Sequence, residues 1–184
     1  MQTEKRIRVA IDGPAAAGKS TVAKRLASIL SFIYIDTGAM YRALTLEVLN
    51  NNIPLHDEQA ILSLLKNTDI KLKNVNGNQL VYVNGEDVTN IIRGNEVSQA
   101  VSHVAKLPSI REEMVIRQRK LSENVSVIMD GRDIGTNVLP DAEVKIFLLA
   151  SVSERAKRRY EENNEKGIPS KLSSLEKEIA ERDK

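Results

Sequence analysis

The sequence predicts an α/β fold in three layers, with helices covering both faces of a central parallel sheet. Three observations point there. Short apolar runs alternate with amphipathic runs of helical spacing along most of the 184 residues. The first apolar run leads into a glycine-rich turn, Gly13–Ser20, that reads G-x-x-x-x-G-K-S, and a helical run follows directly. Between the helical runs, residues 69–92 alternate apolar and polar positions around Asn76-Gly77 and Asn84-Gly85, which marks an antiparallel β-insert.

Taken in order, Arg6–Ile11 is the first strand. A helix is expected from Lys19 to Ser31, with Val22, Leu26, Ile29 and Leu30 along one side. Phe32–Ile35 is a short strand ending at Asp36, and Ala39–Asn51 carries Met40, Ala43, Leu44 and Val48 at helical spacing. Asp57 is placed to cap a third helix. After the insert, Glu96–Ala105 is helical. Pro108 is expected to break the chain, with Ser109 and Glu112 as a capping box for a helix to about Glu123. Val125–Met129 and Val144–Leu149 are continuous apolar strands, the first delivering Asp130-Gly131-Arg132-Asp133. Ser153–Lys166 is a charged helix, 167–170 a linker, and Leu172–Lys184 a helix with an expected capping box at Ser173 and Glu176.

Strand, glycine-rich loop and helix form the context of a phosphate-binding loop, and the fold expected is of the P-loop NTPase type. Such a loop must aim several backbone N–H groups at one centre, which Gly13 and Gly18 permit through positive φ. The helix N-terminus adds partial positive charge. Gly13, Pro14, Ala15, Ala16, Ala17, Gly18, Lys19, Ser20 and Thr21 are therefore the expected ATP-binding residues. Lys19 would reach the β- and γ-phosphates, and the Ser20 hydroxyl would ligate Mg²⁺. Read blandly, the same glycines would serve a strand-to-helix turn only; the flanking strand and helix favour nucleotide.

Composition narrows the class. Twenty-seven basic against twenty-five acidic residues leave a net charge of +2, which gives no support for nucleic-acid or membrane-surface binding. With no Cys, neither a disulfide framework nor a thiol nucleophile is available. The N-terminus lacks a signal peptide's apolar core, and no apolar run reaches membrane-spanning length. A cytoplasmic protein without a membrane partner, and a monomer, is expected.

Charged residues at strand ends carry the next step. Thr37-Gly38-x-x-Tyr41-Arg42 follows one strand, Asp130-Gly131-Arg132-Asp133 another, and ligands in open α/β sheets sit beyond the strands' carboxyl ends. The strings IDGPAAAGKST, YIDTGAMYR, VIMDGRDIGT, PDAEVKIFL and RAKRRYEE closely resemble the bacterial cytidylate kinase family, over essentially the whole chain. The resemblance implies ATP-dependent phosphorylation of CMP and dCMP, with Mg²⁺ accompanying ATP. It places Thr37, Arg42, Ser102, Arg111, Arg132, Asp133 and Arg182 in the CMP site. It also puts Arg155, Arg158 and Arg159 on a helical lid spanning about 153–170, as catalytic residues beside Lys19. Asp130 either holds Mg²⁺ through water or anchors side chains. The expected division is a core of 1–36 and 93–184, and a monophosphate-binding region of 37–92 with its insert at 69–92. A kinase of another nucleotide or small metabolite, or a nucleotide-binding switch, is the alternative. The family continues past Lys184 with a final strand and helix, so the chain is expected either to be part of a longer protein or to lack an edge strand of its sheet.

Overall fold

The computed structural model describes residues 6–165 and 167–183. Arg8–Asp12 forms β1, Lys19–Leu30 α1, Ile33–Asp36 β2 and Thr37–Asn50 α2. Glu58–Asn67 (α3) leads to the insert strands Ile70–Val75 (β3), Asn78–Val83 (β4) and Glu86–Asp87 (β5). Asn95–Val104 (α4) and Pro108–Ser122 (α5) precede Val127–Gly131 (β6), Val144–Phe147 (β7), Val152–Glu165 (α6) and Leu172–Arg182 (α7).

Strands β2-β6-β1-β7 lie side by side in that order, and every pairing is parallel. Alternation sorts β1. Val9 and Ile11 pack with Ala23, Ala27 and Ile128 against α1, while Ala10 joins Ile35, Val127, Met129 and Ile134 on the opposite face. Helices therefore cover both faces, as the apolar strands require. A second core, built on Met40, Leu44, Ile61, Leu65, Ile110 and Met114, joins α2, α3 and α5, with each buried side chain contributing about 2 kcal/mol. The insert is a separate antiparallel sheet, β3-β4-β5, and Val81, Val83 and Val88 pack it on Ala39, Ala43 and Leu46 of α2. Helix α2 is thus shared by two cores.

Two helix starts depart from expectation. Pro108 opens α5 as its first residue, where a missing N–H costs nothing. The cap is Leu107 and has no side-chain bond; Ser109 lies inside the helix, its N–H donating to Glu58 Oε1 at 2.7 Å. Helix α7 likewise starts after Lys171 without a side-chain cap, so Ser173 and Glu176 form no capping box there. Asp57 does cap α3, accepting from Ala60 N at 3.0 Å. A single π-turn at Ile134–Val138, unexpected from the pattern, follows β6.

Candidate active site

The carboxyl ends of β1, β2 and β6 meet at one place. Between β1 and α1, Gly13 has φ +146°, and a Cβ on it would stand 2.2 Å from Leu148 O, so only glycine fits. Gly18, at φ +93°, closes the loop in the left-handed region as the N-cap of α1. Lys19 Nζ donates to Pro14 O at 2.7 Å. Burial holds its ammonium below the usual lysine value against the pull of the Asp130 carboxylate, while Arg132 pushes the same way as burial.

Asp130, 3% exposed at the end of β6, is the hub. Its two carboxylate oxygens accept from Ser20 Oγ at 2.8 Å and Tyr34 OH at 3.0 Å, and its backbone carbonyl accepts from Thr37 Oγ1 at 2.7 Å. Burial, then the neighbouring Asp36, pushes its carboxyl up to about 6 despite the two hydroxyl donors. The buried Tyr34 hydroxyl is itself raised well above its ordinary value by burial and by Asp36. Asp12 fixes the loop after β6 from the other side, because its carboxylate accepts from Ile134 N and Gly135 N, both at 2.8 Å. The loop lies so close to α2 that a Cβ on Gly131 would stand 2.6 Å from Thr37 Oγ1.

Further along that loop, Asp133 pairs with Arg111 of α5 and accepts from Asn137 Nδ2 at 2.8 Å. Arg111 also donates to Ala105 O at 3.1 Å. Tyr41 stands by this pair: burial pushes its hydroxyl up to about 12, with Arg111 lowering and Asp133 raising it. Arg42 Nη1 donates to Ser98 Oγ at 2.8 Å and to Ile92 O at 3.2 Å. Ser102 lies one turn beyond Ser98 on α4, and hence on the same side of that helix. Arg132 is exposed at the loop's outer edge.

Helix α6 brings two arginines to the phosphate loop. Arg158 Nη1 donates to Ala17 O at 3.2 Å and Nη2 lies 3.4 Å from Glu154. Arg155, 3% exposed, donates to Ala15 O at 3.3 Å and to Ala150 O at 2.9 Å, and pairs with Asp183. Arg159 instead pairs with Glu162 at 3.7 Å. The side chain of Arg182 lies outside the described residues.

Asp12, Tyr34 and Tyr41 were not assigned by the sequence reading. Asp12 carried a signal, being a carboxylate at the end of an apolar strand just before the glycine loop; Tyr34 and Tyr41 lie in the string YIDTGAMYR, which carries the family resemblance but assigns them no contact. A hydroxyl beside a carboxylate is the hard-oxygen donor set that suits Mg²⁺, and Ser20 with Asp130 supplies it.

A family model described as cytidylate kinase matches residues 9–184. Proteins named cytidylate kinase from Geobacillus sp., Geobacillus thermodenitrificans and Bacillus subtilis are 69%, 66% and 61% identical to this chain. The matches cover 96%, 98% and 98% of the chain, and 79%, 81% and 81% of those proteins.

Proposed function

Since the chain belongs to the cytidylate kinase family, we propose that it transfers the γ-phosphoryl group of ATP to CMP or dCMP, giving ADP and CDP or dCDP. The observation that carries the acceptor assignment is the Arg111–Asp133 pair, set beside Tyr41 within the region that Asp130 ties to the phosphate loop. The pair presents a donor next to an acceptor. Cytosine offers the matching edge, an N4 amino group for Asp133 and the N3 and O2 acceptors for Arg111. Uracil would turn a carbonyl toward the carboxylate and leave buried polar groups unpaired.

Gly13–Thr21 hold the ATP phosphates through backbone N–H groups and the α1 N-terminus. Thr37 and Arg42 receive the acceptor's phosphate, Arg132 and Ser102 border it and the base, and Arg182 serves the sugar. The acceptor oxygen already belongs to an anion at neutral pH, so no general base is needed. Lys19, Arg158 and Arg159 spread positive charge around the transferring group, where it counts most in the transition state. Arg155, expected beside them as a catalytic arginine, is buried and turned to Ala15, Ala150 and Asp183, so we assign it instead to holding α6 against the phosphate loop. Ser20, with Asp130 behind it through water, would hold Mg²⁺, which would supply charge to screen the phosphate oxygens. Closure of residues 153–170 and of the 37–92 region excludes water, which would otherwise take the phosphoryl group.

A coupled assay of ADP release with CMP, dCMP, UMP and AMP tests the reading. Turnover should be fastest with CMP and dCMP; a preference for AMP or UMP would overturn the cytosine assignment.

A further inference from the structure

Strand β2 is one of the two outer strands of the parallel sheet among the described residues. Its inner edge is engaged with β6, where Ile33 N–H donates to Ser126 O at 3.1 Å. Strand alternation turns the Tyr34 carbonyl and the Asp36 N–H to the outer edge, and buried backbone groups require partners. No strand supplies them there among the described residues. The side chain of Gln79, from β4 of the insert, supplies both: Nε2 donates to Tyr34 O at 2.7 Å and Oε1 accepts from Asp36 N at 3.1 Å. Its cross-strand neighbour Asn74 adds Nδ2 to the same carbonyl at 3.0 Å. Gln79 is 7% exposed. A primary amide offers a donor and an acceptor as a peptide unit does, so Gln79 stands where one residue of a neighbouring strand would.

What this contact fixes lies next to the acceptor site. Asp36 caps α2 by accepting from Ala39 N at 3.0 Å and lies 3.6 Å from Arg93 Nη2. Thr37, the next residue, bonds Asp130, and Tyr41 and Arg42 follow in the next turn of α2. We propose that Gln79 is a positioning residue for the acceptor nucleotide, tying the β-insert to the edge of β2 and so setting where the first turn of α2 stands against the phosphate loop. The inference rests on the CMP kinase reading above. It gives the insert a role in acceptor binding although the insert supplies none of the residues assigned to contact the nucleotide.

Gln79→Met keeps the length of the side chain and removes both hydrogen bonds. The KM for CMP should rise about tenfold, the effect of taking the partner from the buried Asp36 N–H, while Asn74 alone still holds the Tyr34 carbonyl. The KM for ATP should stay within about twofold, because α1 and its loop are held by β1 and β6 instead. An unchanged KM for CMP, or equal rises for both substrates, would overturn the proposal. Amide exchange in the wild-type protein gives a readout independent of turnover and of the variant's folding. The Asp36 amide should exchange as slowly as that of Ile35, which faces β6; exchange at the rate of exposed loops would overturn it as well. Wild-type turnover of CMP, measured alongside, tests the kinase reading separately.

Discussion

Asp133 accepts from Arg111 and Asn137, and neither bond depends on a pyrimidine. If the carboxylate reads N4, Asp133→Ala should cut kcat/KM for CMP by about a hundredfold or more and change that for UMP much less. Equal losses for the two acceptors would instead show that Asp133 only buttresses its neighbours. Asp130 yields a different test. Its carboxyl, pushed up to about 6 by burial, keeps a proton in the folded protein at pH values where an unfolded aspartate has lost it. The folded state binds more protons between about pH 4 and 6, so stability should fall as pH rises through that window, by about 1.4 kcal/mol per unit at most. Asp130→Asn removes this dependence. The melting temperature of wild type relative to Asp130→Asn should therefore decline from pH 4 to 6.5; a flat difference would mean that Asp130 is ionised throughout. The glycine loop was legible in the sequence because its requirements are local, with Gly13, Gly18, Lys19 and Ser20 within eight consecutive positions. Gln79 was not legible, since nothing near it in the chain tells that its amide meets β2.

Helix α6 shows how one face can carry two different duties. Arg155 and Arg158 are neighbours three apart, yet Arg155 is buried against Ala15, Ala150 and Asp183 while Arg158 keeps half its surface and reaches Ala17. Arg155→Ala should lower stability by about 2–3 kcal/mol, less than a fully buried pair because Asp183 retains solvent contact. Arg158→Ala should leave the melting temperature within a degree or two (about 0.5 kcal/mol for a surface change) and lower kcat more than it raises either KM. Equal thermal shifts in the two variants would refute the division. The charged helix itself was readable from composition. Its split was not, because Asp183 arrives from α7, and periodicity along α6 says nothing of that neighbour. The same holds for α5. Ser109 and Glu112 match a capping box, but Pro108 is favoured at a first helical position, and Glu58 of α3 takes the Ser109 N–H that a cap would otherwise order.

At the scale of the whole molecule the sheet was anticipated: apolar strands covered on both faces, with an antiparallel insert between helices. The order β2-β6-β1-β7 was not, for strand neighbours depend on crossovers that local pattern does not encode. That order has a consequence for synthesis. A ribosome makes β1 and the glycine loop before the other strands of that sheet, but β1 finds its partners only when β6 and β7 have emerged. The β3–β4 hairpin, joined by Asn76-Gly77, needs no such wait. Nascent chains stalled before Val127 should therefore show protected hairpin amides yet gain no protease resistance from ATP; chains carried past Phe147 and clear of the exit tunnel should gain it. The nucleotide motif is translated before the strands that complete its site, so ATP should not act as a folding ligand until β6 and β7 have joined β1.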